Sequence, residues 1–108
     1  MASDTDTAEI VLITAFDLRW LTFALRNVQT RTVLETVARQ AMYTAFDLLL
    51  EKEPKQPEYV VAFSPEQAFL ALWAANEGRC RTGDEWLTRG RMQRKFHEMT
   101  GTQGVNGQ

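Results

Sequence analysis

Ser64-Pro65-Glu66-Gln67 is the segment that most narrows what this chain can fold into. Serine at a cap, proline at the first helical position and glutamine three residues past the cap satisfy the orphan N–H groups of a helix start. The run that follows, Ala68-Phe69-Leu70-Ala71-Leu72-Trp73-Ala74-Ala75, is apolar almost all round. A helix over 65–77 is therefore expected to be central and buried, and to stop at Gly78. A chain of 108 residues with 44% hydrophobic content can build one modest core around such a helix.

The segments before it set the fold class. Glu58-Tyr59-Val60-Val61-Ala62-Phe63 is rich in β-formers and reads as a strand over 58–63. The segment 9–13, Glu9-Ile10-Val11-Leu12-Ile13, reads the same way, with one unbroken helix from about Thr7 as the alternative. Asp17 favours the strand. Within a continuous helix its carboxylate would stand among Ile13, Trp20, Leu21 and Ala24, an unfavourable place for an unpaired charge. In a helix over 15–28, Thr14 and Asp17 instead form a cap pair, Ile13 and Leu18 a hydrophobic staple, and Asp17 lies at the positive end of the dipole.

A second helix is expected over 32–52, capped by Thr32 and Glu35 and ended by Pro54-Lys55-Gln56-Pro57. Its stripe of Leu34, Val37, Ala38, Ala41, Ala45, Leu48 and Leu49 is read as the core face. Thr82-Gly83-Asp84-Glu85 opens a last helix over 84–99, which Gly90 interrupts and can divide in two. The expected fold is mostly α: about four helices and a small two-stranded element in one domain over 1–100, with a flexible tail over 101–108. The second half thus follows the logic of the first. The pentapeptide Thr-Ala-Phe-Asp-Leu, at 14–18 and again at 44–48, has unmatched flanks and reads as coincidence.

Charge supplies the clearest pointer to a partner. Net charge is −2, yet Arg79, Arg81, Arg89, Arg91, Arg94 and Lys95 face only Asp84 and Glu85 in their stretch, and +6 − 2 leaves +4 locally. That segment is the expected contact for an acidic partner protein or, as the alternative, for nucleic acid. Two short helices turned at Gly90 would loosely follow a helix-turn-helix, offering Arg91, Gln93, Arg94 and Lys95 to phosphates and base edges. A sequence pI near 5.4 excludes a protein whose whole surface grips nucleic acid.

A second candidate surface is Arg39, Tyr43, Phe46 and Leu50, opposite the expected core stripe of the middle helix. Aromatics beside an arginine have the composition of an interface centre, for a foreign protein or a second copy of the chain.

Catalytic chemistry finds little support. His97, the single histidine, and Cys80, the single cysteine, make neither a metal cluster nor a nucleophile–base pair. No glycine-rich phosphate loop and no G-x-S-x-G occur. No catalytic residue, metal or cofactor is expected, and no membrane partner. With one cysteine and the polar, acidic opening Met1-Ala2-Ser3-Asp4-Thr5-Asp6, a cytoplasmic location is expected. The reading is a small non-enzymatic interaction protein (a regulator, adaptor or inhibitor of phage or mobile-element type), with a nucleic-acid-binding regulator as the alternative.

Overall fold

The computed structural model describes the backbone of residues 8–106 and the side chains through Gly101. Its elements are β1 (Glu9–Thr14), α1 (Ala15–Asn27), α2 (Val33–Glu51), β2 (Glu58–Phe63), α3 (Pro65–Glu77) and α4 (Gly83–Asn106). The mostly helical class, the four helices and the two-stranded element are as the sequence indicates.

Local chemistry sets where the helices begin. The Thr14 hydroxyl accepts from the Asp17 N–H, so the unbroken helix is excluded and β1 runs straight into α1. Ser64 and Gln67 make the full reciprocal box. Thr32 caps α2 and Thr82 accepts from Glu85 N–H at the start of α4. At these two starts the glutamate reaches one residue further back: Glu35 accepts from Arg31 N–H and Glu85 from Arg81 N–H.

β1 and β2 pair antiparallel, with Val11 opposite Val61 at the centre of the register. Val11, Ile13, Tyr59, Val61 and Phe63 face the core; Ile10, Leu12, Val60 and Ala62 face outward. Beneath the ribbon lie Leu18, Leu21 and Leu25 of α1, Ala71, Ala74 and Ala75 of α3, and Met92 and Phe96 of α4. Phe63 is gripped edge-on by Phe46 and Phe96, at ring-centroid distances of 5.9 and 4.9 Å.

The chain does contain a repeat, at a fifty-residue offset that residue identity barely marks. Thr14 matches Ser64, Thr32 matches Thr82, Met42 matches Met92 and Phe46 matches Phe96, each pair in the same structural place. Exchanging the halves turns the pair Glu9–Phe63 into Tyr59–Ile13 and leaves Val11–Val61 unmoved, so the strand register obeys a pseudo-two-fold axis through that central pair. The arginines preceding the long helices obey it too. Arg31 lies over the Trp73 ring at 4.6 Å and Arg81 over the Phe23 ring at 5.7 Å, each reaching into the other half. Two strand–helix–helix units thus fold as one, and neither strand could pair without the other half.

Three expectations are corrected. α4 is one helix through Gly90, because a single interior glycine costs only about 1 kcal/mol and packing of Met92 and Phe96 holds the segment straight. The helix-turn-helix arrangement is therefore absent among the described residues. α4 also runs past its expected end at 99 as far as Asn106, through part of the stretch 101–108 read as a tail; 107–108 lie outside the described residues. Finally, α3 is buried on one side only, with Ala68, Leu70, Ala71, Ala74 and Ala75 inside and Phe69 57% exposed.

Candidate functional site

The faces of α2 are exchanged relative to the sequence reading. Met42, Phe46 and Leu50 point into the core, and Phe46 is only 5% exposed. Leu34, Val37, Ala41, Ala45 and Leu48, expected inside, lie on the surface, with Leu34 82% and Leu48 64% exposed; Ala38 and Leu49 are half-buried. A helix apolar on both faces gives the periodicity two equivalent phases, and Phe63 and the ribbon choose between them. Phe46 and Leu50 are consequently removed from the candidate contact residues. Tyr43 is half-buried beneath the Arg26 guanidinium, 4.9 Å from its ring centroid. Arg39 donates from Nη1 to the Val28 carbonyl at 2.6 Å and so closes the C-terminus of α1. The quartet Arg39, Tyr43, Phe46 and Leu50 holds the fold together.

Most of the basic segment has internal work as well. Arg91 donates from Nε and Nη2 to the two carboxylate oxygens of Asp17 at 2.9 and 2.8 Å, and Thr88 donates to Asp17 at 2.7 Å. Burial raises the pKa of the Asp17 carboxyl, but the hydrogen bonds from Arg91 and Thr88, with the Arg91 charge, outweigh it and hold the group below its ordinary value. The same pairing raises Arg91. Arg89 donates to the Asn76 carbonyl and covers Trp86; Arg81 pairs with Glu85. The Arg79 carbonyl accepts from the Trp20 indole N–H at 3.0 Å. Arg94 and Lys95 share a shallow, open groove with Arg91 and Glu98, and Lys95 also donates to the Leu12 carbonyl. The six cations do not converge on one patch.

What the structure does bring together is apolar. The N-terminal half of α2 and the outer side of α3 enclose an open groove of about 800 Å³ lined by Leu34, Ala38, Phe69, Leu72 and Trp73, with Arg31, Glu35 and Glu66 at its rim. Further along, Ala41, Ala45 and Leu48 meet Val60 and Ala62 of β2 over a second groove of about 480 Å³. The first volume suits a small ligand, yet its ionic rim groups Arg31 and Glu35 bond to each other and not to a common point inside.

The pseudo-symmetry provides an internal control on this surface. The α4 positions matching Leu34, Ala41, Ala45 and Leu48 are Asp84, Arg91, Lys95 and Glu98, and the α1 position matching Phe69 is Arg19. The same backbone therefore stands with charged residues at these sites. The core positions Met42 and Met92, and Phe46 and Phe96, are by contrast apolar in both halves. Sequence reasoning had part of this signal available: comparing residues fifty apart picks out the shared core positions Met42 with Met92 and Phe46 with Phe96, although Val37 and Leu87 are apolar and exposed in both halves.

Among the described residues, no helix is long and apolar enough to cross a membrane, and no group of three or more His, Cys, Asp or Glu is placed to hold a metal ion. Cys80 is half-buried, its thiol directed at the Glu85 carbonyl, and His97 is exposed on α4 beside Gly101. The chain matches no protein-family model, and neither a curated protein nor a solved structure is detectably similar to it.

Proposed function

We propose that this chain is a small cytoplasmic, non-enzymatic interaction protein that works as a regulator, adaptor or inhibitor through contacts with protein. The observation that carries the reading is the apolar surface of α2, α3 and β2, whose matching positions in the other half include Arg19, Asp84, Arg91, Lys95 and Glu98. Exposed leucine and phenylalanine that the architecture does not need weaken solubility, and a contiguous patch of them marks a surface that is covered in use. Its composition is that of an interface centre: aromatic and aliphatic groups with arginine at the edge and charge excluded from the middle.

The test is recovery of a protein partner on the tagged full chain, with and without nuclease. A partner retained after nuclease and lost with Leu34→Glu supports the reading. Recovery that nuclease abolishes overturns it.

Nucleic acid is the second reading, favoured by one observation: an antiparallel two-stranded ribbon is narrow enough to enter a major groove. It ranks second because the ribbon turns Ile10, Leu12, Val60 and Ala62 outward, none of which donates or accepts a hydrogen bond through its side chain, and because Arg91 is held by Asp17. Binding to duplex DNA that weakens steeply with salt would promote it.

A further inference from the structure

We infer that the apolar face of α2 is where two copies of this chain meet, α2 crossing its counterpart antiparallel at Ala41. The inference rests on the protein-contact reading above and names the occupant of that surface.

Three observations carry it. First, the exposed area is of the right size. Val33, Leu34, Val37, Leu48, Val60 and Phe69 are each more than half exposed, on the order of 800 Å² together, about what each partner gives to a standard interface.

Second, the face is symmetric about its own midpoint. Leu34 and Leu48 stand seven residues to either side of Ala41, Ala38 and Thr44 three, and Val37 and Ala45 four. A contact across a two-fold axis places each residue against its mirror position, so a palindromic run of large, small and large side chains is self-complementary. Leu34 then packs on the other copy's Leu48, while the small groups around Ala41 let the helices approach closely at the centre. A partner of unrelated sequence gives no reason for such a pattern.

Third, the charges agree with an antiparallel crossing. An antiparallel crossing sets the negative end of each helix dipole beside the positive end of the other, and brings Glu51 toward the other copy's Arg31, which within its own chain is shared with Glu35 and the Trp73 ring. Glu35 and Asp47, which would oppose one another, are already paired within their own chain to Arg31 and Arg26.

The experiment combines sedimentation equilibrium with a single-cysteine cross-link. In a Cys80→Ser background, Ala41→Cys is expected to give a disulfide-linked dimer on mild oxidation, because the axis passes beside that position. Leu87→Cys, exposed on α4 and away from the contact, is expected to form no such cross-link. Leu34→Glu is expected to raise the dimer dissociation constant at least tenfold with circular dichroism unchanged, and with Tm unchanged at dilutions where both chains are monomeric, since that side chain is already in water in the single chain. The native chain remaining monomeric to about 1 mM, a concentration where only contacts weaker than roughly 4 kcal/mol go unseen, would overturn the inference. So would a dimer that the Ala41→Cys substitution fails to cross-link. If the monomer still retains a foreign protein that Leu34→Glu releases, the second copy falls and the protein-contact reading stands. If nothing is retained, both fall.

Discussion

Arg91 in the middle of α4 clasps both carboxylate oxygens of Asp17 in the first turn of α1, at 2.8 and 2.9 Å, across seventy-four positions of sequence. Asp17 is 4% exposed, and it is served from three sides: its own N–H is capped by Thr14, while Thr88 and Arg91 reach it from α4. The positions matching Asp17 and Arg91 in the other half are Gln67 and Ala41, so that half has no counterpart of this ion pair, and Gln67 instead completes the Ser64 capping box.

Removing Arg91 leaves a buried carboxylate without its cation, so Arg91→Ala is expected to cost roughly 1–2 kcal/mol at pH 7. That is less than the 3–5 kcal/mol of a fully buried pair, because the Arg91 side chain is about half exposed. The pH dependence has a definite sign. The folded carboxyl titrates below the unfolded value of about 3.9, so its stabilisation is complete above that pH and is lost as pH falls through the folded pKa. Urea denaturation at a series of pH values should show Asp17→Asn less stable than the native chain at pH 7, with the gap closing in acid. A gap that is constant down to pH 2 would remove the ion pair from the account.

Two glycines should respond oppositely to alanine. A Cβ at Gly90 would meet nothing within 4 Å and the residue is helical, so Gly90→Ala is expected to stabilise by about 1 kcal/mol. A Cβ at Gly78 would fall 2.6 Å from the Trp20 ring, whose indole is fixed by its bond to the Arg79 carbonyl; Gly78→Ala is expected to cost roughly 1–3 kcal/mol. The matching pair in the other half is Leu70 with Val28, a smaller group on one side and a larger one on the other. Thermal denaturation of the two variants checks both signs, and combining Gly78→Ala with Trp20→Leu should recover part of the loss.

The exchange of faces on α2 has a direct consequence. Phe46→Ala empties a site between Met42 and Phe63 and is expected to cost about 3–5 kcal/mol, whereas Leu48→Ala on the open side should change stability by less than about 0.5 kcal/mol. Equal losses from the two variants, read by urea unfolding of the isolated chain at micromolar concentration, would contradict the assigned orientation.

Where the elements start was legible in the sequence, because capping is a contest among residues three or four apart: Thr14 with Asp17, Thr32 with Glu35, Ser64 with Gln67, Thr82 with Glu85. The β-rich runs ahead of the first and third of these were legible for the same local reason. Which side of α2 is buried, whether α4 survives Gly90, and what neutralises Asp17 were decided only when the two halves came together. Each of those outcomes depends on atoms distant in sequence: Phe63 against Phe46, the shared core around Met92 and Phe96, and Arg91 against Asp17. A short-range pattern offers α2 two nearly equivalent apolar faces. Only the side chains that meet it in space make one of them the core and leave the other as surface.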